Sequence, residues 1–312
     1  MTQNSQITII GGGAWGNTLG YLLERSGHNY NIWNRNTSVS LSSVIKSADI
    51  IISAVSMKGV REIINSLQQI KLRENLIIVT ATKGLDLETT HTPSQIWQEA
   101  FPHNPIVVLS GPNLSKEIKI GLPAATVVAS NNIVAAEFTQ NIFASDIFRV
   151  YVNNDPIGTE LGGTLKNVMA IASGVCDGLK LGTNAKAALL TRALPEMIRV
   201  GVKLGASKET FFGLSGLGDL LATCDSPLSR NYQVGLGLAQ DKSLEEIVTN
   251  LEGTAEGINT TNVLIKLAHK QQISVPIAYQ VYLLLKGKIS PQESVKNLMA
   301  RELKEEFWYL DF

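Results

Sequence analysis

The stretch ITIIGGGAWGNTLGYLLER, residues 7–25, decides the fold of this chain. Its first four residues are all β-branched, which predicts a strand, and GGGAWG at 11–16 follows at once and fits the pattern G-x-G-x-x-G. Such a turn lets backbone N–H groups approach a pyrophosphate, and the N-terminus of the next helix favours its negative charge. A dinucleotide is expected to contact Gly11, Gly13, Ala14 and Gly16; a glycine turn without a ligand is the alternative.

Short β-branched runs alternate with helical patterns up to about residue 152. We expect strands at Gln6–Ile10, Tyr30–Trp33, Asp49–Val55, Leu76–Ala81, Ile106–Leu109, Ala125–Ala129 and Phe148–Val152. Apolar residues at helical spacing predict helices at Ala14–Ser26, Val60–Gln69, Ser94–Ala100 and Ile133–Phe143. This alternation is typical of a parallel sheet covered by helices on both faces.

After the seventh predicted strand only helical patterns follow. Asp155 and Pro156 predict the start of the first helix, because Asp is a good N-cap and Pro suits the first helical position. The last helix is expected at Pro291–Glu306. The predicted fold class is α/β, with an N-terminal Rossmann-like, doubly wound, mostly parallel sheet followed by an all-α C-terminal domain. We expect a dinucleotide-binding domain at residues 1–152 and an all-helical substrate domain at residues 153–312.

Composition and charge exclude several classes of protein. The 312 residues include 27 Lys and Arg against 27 Asp and Glu, so the chain lacks the basic excess typical of nucleic-acid-binding proteins. No apolar run approaches the ~20 residues of a transmembrane helix, and the polar start MTQNSQ does not resemble a secretory signal. The two cysteines and four histidines lack metal-ligand spacing. We expect a soluble cytoplasmic enzyme without membrane span, nucleic-acid partner or metal.

The end of the second predicted strand bears on the choice of nicotinamide cofactor. NAD sites usually have Asp or Glu there to bind the ribose 2′-hydroxyl. This chain has Trp33-Asn34-Arg35-Asn36 instead. Without a carboxylate to repel a 2′-phosphate, and with Arg35 able to contact it, NADPH should be accepted. A solvated surface arginine is the alternative explanation.

Three further predicted strands end in polar, mostly glycine-containing segments. These are 53–56 (SAVS), 82–84 (TKG) and 110–113 (SGPN). Ligands of open parallel sheets bind beyond the carboxyl ends of the strands. Lys83 follows an apolar strand, so we expect it to face the ligand crevice rather than bulk water.

Lys166 and Asn167 lie in the first long helix of the predicted second domain. Gly162 and Gly163 come one turn earlier, where they would allow a close approach by another surface or by a ligand. A lysine beside an apolar stripe commonly extends to water. If it is partly desolvated near another cation, its pKa is depressed and it can act as a general base.

Two further segments of the second domain carry groups suited to a polar ligand. Asp219 and Thr223 are four residues apart, so they share one face of a helix. Ser229 is a good N-cap for a helix that begins with Arg230 and Asn231. Capping does not explain Arg230, because the helix dipole disfavours a cation in the first turn unless an anion is bound.

Taken together, these motifs resemble the bacterial type of the NAD(P)-dependent glycerol-3-phosphate dehydrogenase family over nearly the whole chain. The matching segments are GGGAWGNTLG at 11–20, TATKGL at 80–85, LSGPNLSKEI at 109–118, ELGGTLKNVMAIASGVCDGLKLGTNAKAALLTRALPEM at 160–197, TFFGLSGLGDLLATC at 210–224, SRN at 229–231 and AEG at 255–257. The resemblance implies reversible reduction of dihydroxyacetone phosphate, a triose phosphate, to sn-glycerol 3-phosphate for phospholipid synthesis, with NADP(H), NAD(H) or both.

The resemblance also implies roles for individual residues. Lys166 would exchange the proton at the substrate oxygen, with Lys83 and Asp219 as further catalytic residues. The substrate site would comprise Lys83, Gly111, Asn113, Asn167, Asp219, Thr223 and Ser229, with Arg230 and Asn231 at the phosphate. Cofactor contacts beyond the glycine turn would come from Trp15, Arg35, Lys83, Ser115, Arg230, Ala255 and Glu256.

The segment between Arg35 and Ala48 is shorter than in most members of that family, so contacts made by their insertion are missing. Two other functions stay open at this point. One is a related Rossmann-plus-helical dehydrogenase of a hydroxy acid, and the other is a non-catalytic NADPH-binding sensor. Apolar stripes in the C-terminal helices permit a homodimer.

Overall fold

The computed structural model describes residues 5–303 and 305–306. The chain forms two compact units, the first ending at Glu160 and the second beginning at Leu161. This division falls within one helix, Pro156–Gly178.

The first unit is built on a seven-stranded sheet in the order β2-β1-β3-β4-β5-β6-β7. Its strands are β1 (Ile7–Ile10), β2 (Tyr30–Trp33), β3 (Ile50–Ser53), β4 (Ile77–Thr80), β5 (Ile106–Ser110), β6 (Ala124–Ala129) and β7 (Phe148–Asn153). All neighbouring strands are parallel except β5 and β6. The predicted α/β class with a mostly parallel sheet is confirmed.

Helices cover both faces of this sheet and bury two apolar cores against it. They are α1 (Ala14–Arg25), α2 (Leu41–Lys46), α3 (Met57–Gln68), α4 (Pro93–Ala100), α5 (Ser115–Lys119) and α6 (Ile133–Phe143). Leu19 and Phe143 belong to one core, and Val60 and Trp97 to the other. Strand β3 is buried along its whole length between β1 and β4, which explains why its sequence is continuously apolar.

The strand order places a topological switch point between β1 and β3. The chain leaves β1 for β2 on one side and returns to β3 on the other. Open α/β sheets bind ligands outside the carboxyl ends of the two strands at such a point. In this chain those ends are the glycine turn and the segment that follows Ser53.

The described part of the second unit is helical. Its helices are the rest of α7 (Pro156–Gly178), α8 (Gly182–Lys203), α9 (Asp219–Cys224), α10 (Arg230–Ala239), α11 (Leu244–Asn250), α12 (Glu256–Gln271), α13 (Pro276–Leu285) and α14 (Pro291–Met299), with a 3₁₀ turn at Lys208–Phe212 and a π turn at Leu214–Gly218. None of the helices in the described residues is long and apolar enough to cross a membrane.

The predicted start of the first helix of this unit was confirmed, whereas the predicted end of the last helix was wrong. Asp155 caps α7 as predicted, since its Oδ1 accepts the N–H of Gly158 at 2.8 Å. Helix α14 was expected to reach Glu306 but ends at Met299. Met299 is 81% exposed and Leu303 100%, so no apolar packing supports another turn there. Residue 304 of that predicted helix lies outside the described residues.

Two buried carboxylates hold the N-termini of other helices. Glu160 accepts the N–H of Ser94 at 3.0 Å, near the start of α4. Glu196 accepts the N–H groups of Ile277 and Ala278 at 2.9 and 2.8 Å, at the start of α13. Burial raises the pKa of each carboxyl to about 7, and the hydrogen bonds oppose that rise.

Candidate functional site

The glycine turn between β1 and α1 is closely packed. Gly11 has φ +115°, and a Cβ there would lie 2.7 Å from the carbonyl oxygen of Ala54, after β3. A Cβ on Gly16 would lie 1.9 Å from the carbonyl oxygen of Gly11. Both positions therefore require glycine, and the turn is held against the carboxyl end of β3 at the switch point.

The N-terminus of α1 is open to a ligand. Gly13 is its N-cap, and no side chain of the described residues caps the first turn. A Cβ built on Gly13 would meet nothing within 4 Å, and residues 12–14 are exposed. First-turn N–H groups without an intramolecular acceptor fit the pyrophosphate of a dinucleotide.

A row of buried hydroxyl groups lies along the same edge of the sheet. Ser53, Thr80 and Ser110 are the last residues of β3, β4 and β5. Each is at most 2% exposed, and within the described residues none of the three hydroxyl oxygens has a hydrogen-bond partner. Buried hydroxyls normally have partners, so this edge fits a polar ligand together with ordered water.

Lys83 lies at this edge, directly after β4. Its Nζ donates to the carbonyl oxygen of Gly111 at 3.3 Å, beyond the end of β5. The hydroxyl of Thr82 donates to the carbonyl oxygen of Val55 at 2.8 Å, which ties the end of β4 to the end of β3. Asn113 donates from Nδ2 to the hydroxyl of Thr126 at 2.9 Å. Hydrogen bonds thus connect the polar ends of β3, β4 and β5 to one another.

Arg35 follows β2 and reaches solvent. Its side chain is 79% exposed, and its guanidinium lies 3.7 Å from the carboxylate of Glu62 on α3. The second strand brings no acidic residue of its own, but the fold supplies one. A carboxylate therefore does lie near the expected position of a 2′-phosphate, contrary to the sequence prediction, because Glu62 is beside the arginine that would bind that phosphate.

In the second unit, Lys166 of α7 is buried against α9. Its Nζ donates to Asp219 Oδ1 at 2.9 Å and to the hydroxyl of Thr223, which donates in turn to Asp219 Oδ1 at 3.1 Å. Lys166, Asp219 and Thr223 are 7%, 2% and 3% exposed. A Cβ on Gly162 would lie 2.7 Å from the carbonyl oxygen of Ser215, so the π turn before α9 packs directly on α7.

The burial of this ion pair is costly for stability. Removing two charges from water costs several kcal/mol per ion, and only good hydrogen bonding offsets that cost. Because Lys166 is only 7% exposed, its side chain does not extend to water, which was the alternative that the sequence left open. A fixed ammonium with restricted access to water is suited to proton transfer.

Asn167, the next residue of α7, connects three helices. Its Oδ1 accepts from Nδ2 of Asn231 on α10 at 2.9 Å, and Asn231 Oδ1 accepts the N–H of Gly257 on α12 at 2.9 Å. Ser229 caps α10 as predicted by accepting the N–H of Tyr232 at 3.2 Å.

The remaining predicted residues of this unit lie at helix starts. Arg230 is exposed at the first position of α10, and a Cβ on Gly253 would lie 2.6 Å from its guanidinium. Ala255 is the N-cap of α12 and Glu256 its first residue. On the first unit, Trp15 is half-buried in α1 and Ser115 begins α5.

The structure also shows residues that sequence reasoning missed. Glu62 beside Arg35 is one. Another set surrounds Lys186, whose ammonium lies between Asp177 and Asp225. Lys186 and Asp177 belong to the long motif at 160–197, and this motif was the one sequence signal that pointed to them. Within the described residues no group of three His, Cys, Asp or Glu side chains could hold a metal ion.

Family models match both parts of the chain. The model described as NAD-dependent glycerol-3-phosphate dehydrogenase C-terminus matches residues 155–296. The N-terminus model of the same name matches residues 6–41 and 37–136.

Individual proteins are similar over almost their whole length. A Synechocystis sp. protein named glycerol-3-phosphate dehydrogenase (NAD(P)+) is 63% identical over 302 residues, 97% of this chain and 95% of that protein. A protein of the same name from Acaryochloris marina is 62% identical over 300 residues, 96% of this chain and 97% of that one. A crystal structure of glycerol-3-phosphate dehydrogenase from Coxiella burnetii has a TM-score of 0.91 and 32% identity, and covers 95% of this chain and 99% of that one.

Proposed function

The chain belongs to the NAD-dependent glycerol-3-phosphate dehydrogenase family, and we propose that it reduces dihydroxyacetone phosphate reversibly to sn-glycerol 3-phosphate with NADH or NADPH. This reaction makes the backbone of phospholipids. The observation that carries the proposal is the buried Lys166 ammonium, held by Asp219 and Thr223. We assign dinucleotide binding to the first unit and substrate binding to the second, in place of the predicted domains at residues 1–152 and 153–312, because the two units divide after Glu160.

Lys166 supplies the proton of the reaction. When a ketone is reduced, negative charge develops on its oxygen, and an adjacent ammonium stabilises that charge and then transfers a proton to it. Asp219 and Thr223 hold Nζ at one place in the site. In the reverse direction neutral Lys166 takes the proton back from the hydroxyl of glycerol 3-phosphate.

Arg230 and Asn231 bind the phosphate group. A cation in the first turn of α10 is unfavourable by itself, and a phosphate dianion at the same place removes that penalty. Asn167 and Gly257 hold the side-chain amide of Asn231 in place by hydrogen bonds to its nitrogen and its oxygen, respectively. Lys83 supplies a second positive charge for the substrate, with Gly111 and Asn113 beside it.

The glycine turn, Trp15, Arg35, Ser115, Ala255 and Glu256 hold the dinucleotide. When bound, the nicotinamide supplies the hydride that goes to the carbonyl carbon. The open N-terminus of α1 and the hydroxyl row at the strand ends fit such a polar ligand.

The direct test is a steady-state assay of NADH and NADPH oxidation with dihydroxyacetone phosphate. Turnover with at least one cofactor is expected, and Lys166→Met should lower kcat roughly 10²–10⁴-fold without loss of cofactor binding. Lys203→Met, an exposed lysine at the end of α8, is the matched control and should behave as wild type. Absence of turnover with both cofactors refutes the proposal.

A substrate panel separates the two other functions. A hydroxy-acid dehydrogenase would reduce 2-oxo acids and would not depend on a phosphate. A sensor would bind NADPH and reduce nothing in the panel. The proposed enzyme should lose most of its activity when dihydroxyacetone replaces its phosphate ester.

Assembly as a homodimer and location in the cytoplasm are further parts of the proposal. Helices α8, α13 and α14 line an apolar cavity of about 270 Å³, with Leu181 and Met299 among its exposed lining residues. Sedimentation of wild type and Met299→Glu tests whether this face joins two copies. Cys176 and Cys224 are both free and buried, as expected in a reducing compartment.

A further inference from the structure

An ionic cluster in the second unit has no part in the proton transfer described above. Lys186 of α8 donates from Nζ to Asp177 Oδ2 at 2.7 Å and to Asp225 Oδ1 at 2.8 Å. The hydroxyl of Tyr232 donates to the same oxygen of Asp177 at 2.8 Å. The ammonium also lies 5.7 Å from the centroid of the Tyr232 ring. These four residues are called the Lys186 cluster.

The Lys186 cluster joins both ends of the connection between α9 and α10. Asp225 is the C-cap of α9, and Tyr232 lies in the first turn of α10. Asp177 lies near the end of α7. Lys186 therefore binds the end of α9 directly and the start of α10 through Asp177.

This connection separates two functional groups of the proposed site. Helix α9 carries Asp219 and Thr223, which hold the ammonium of Lys166. Helix α10 begins with Arg230 and Asn231. The connection therefore links the helix that holds the proton donor to the helix whose start presents the phosphate-binding side chains.

Lys186 keeps its charge in this setting and is only 18% exposed. Burial acts to lower the pKa of Lys186, but the hydrogen bonds with Asp177 and Asp225 outweigh it and raise the pKa above its usual value. A lysine with a raised pKa does not give up its proton in the working pH range. Its contribution is therefore a fixed positive charge that holds two carboxylates.

Helix α10 is also packed on α7 independently of the Lys186 cluster. A Cβ on Gly235 would lie 1.9 Å from the carbonyl oxygen of Ile171, and one on Gly174 would lie 2.1 Å from that of Tyr232. Since these contacts persist without Lys186, its removal should free the 225–229 connection without separating the helices.

We propose that Lys186 is a positioning residue for recognition of the substrate phosphate, because it fixes the start of α10 that presents Arg230 and Asn231. This inference rests on the proposed function and deepens it. It predicts an effect specific to substrates that carry a phosphate.

The test compares Lys186→Met with Lys186→Arg and with the matched control Lys203→Met. In Lys186→Met the KM for dihydroxyacetone phosphate should rise about tenfold with kcat nearly unchanged, the effect of losing one charged hydrogen-bond contact. The kcat/KM for dihydroxyacetone should stay at the wild-type value. In Lys186→Arg, which keeps the positive charge, the KM for dihydroxyacetone phosphate should stay close to that of wild type. Lys203→Met should leave this KM unchanged.

A second measurement does not depend on turnover. Calorimetric titration with inorganic phosphate should show binding about tenfold weaker in Lys186→Met than in wild type. If wild type does not reduce dihydroxyacetone phosphate, the proposed function fails, and the phosphate titration still decides this inference.

The inference is overturned if both substrates lose activity equally, or if phosphate binding is unchanged. If Lys186→Met does not fold, Tyr232→Phe replaces it, because this variant removes only the hydroxyl bond to Asp177. A KM rise of about threefold, confined to the phosphorylated substrate, is then expected, and an unchanged KM overturns the inference.

Discussion

Replacing Lys166 by Met removes the ammonium held by Asp219 and Thr223 but keeps most of the side-chain volume. Without its proton donor the enzyme should lose roughly 10²–10⁴-fold in kcat. Cofactor binding should change little, because the glycine turn proposed to hold the dinucleotide belongs to the first unit, whereas Lys166 belongs to the second.

The same variant should lose stability for a reason visible in the structure. Asp219 is 2% exposed, and the substitution removes the ammonium that pairs with its carboxylate while the hydrogen bond from Thr223 remains. Breaking a buried ion pair by removing one partner costs about 3–5 kcal/mol. For a unit of this size the melting temperature should fall by roughly 10 °C.

The double variant Lys166→Met/Asp219→Asn separates the two effects. It leaves no unpaired charge, so thermal unfolding should return to within roughly 4 °C of wild type. Turnover should stay at the level of the single variant. A single variant as stable as wild type would refute the buried-pair argument, and a double variant that regains turnover would refute the role of Lys166.

Three further predictions concern other parts of the molecule. Glu62→Gln removes the carboxylate 3.7 Å from Arg35 and should lower the KM for NADPH by up to about threefold while leaving that for NADH unchanged, as measured by steady-state kinetics. Gly16→Ala places a Cβ 1.9 Å from the carbonyl oxygen of Gly11, so fluorescence titration should show binding of both cofactors weakened by roughly a hundredfold. In Glu196→Gln, urea unfolding between pH 4.5 and 7 should lack the fall in the free energy of unfolding that the Glu196 carboxyl contributes in wild type.

The sign of the Glu196 effect follows from its buried carboxyl. Burial raises its pKa from 4.5 to about 7, so the native state binds more protons than the unfolded state between these values. This group therefore makes the free energy of unfolding fall as pH rises from 4.5 to 7. Wild type should therefore lose stability relative to Glu196→Gln, which has no carboxyl to titrate, as pH rises over that window. A stability difference between the two proteins that stays constant from pH 4.5 to 7 would contradict the raised pKa of Glu196.

The other two predictions have their own contradicting outcomes. An equal change of KM for both cofactors in Glu62→Gln would contradict the role of Glu62, and undiminished cofactor binding in Gly16→Ala would contradict the role of the glycine turn.

The sequence predicted most of the sheet because strands buried on both faces leave a strong pattern. Strand β3, which is buried along its whole length, was found from its apolar run, and even the partly exposed edge strand β2 was predicted at its observed bounds. Helices α2 and α5 were missed, because segments of six and five residues are too short to show a period.

Contacts among the candidate site residues were predictable where one segment carries the signal. The four-residue spacing of Asp219 and Thr223 indicated a shared helix face, and both contact Lys166. Contacts made only by tertiary folding were not predictable. Glu62 approaches Arg35 from another helix, and Asp225 lies 39 positions from Lys186, so no spacing rule connects either pair.

The close contact of α7 with α10 has a consequence for tolerance to mutation. At Gly174 and Gly235 even one methyl group would push apart the two backbones that carry Lys166 and Arg230. No ligand is expected to touch either glycine. A screen of all substitutions for loss of function should nevertheless find that Gly174 and Gly235 tolerate replacement as poorly as Lys166 does. A list of ligand-contacting residues alone would not include these two glycines.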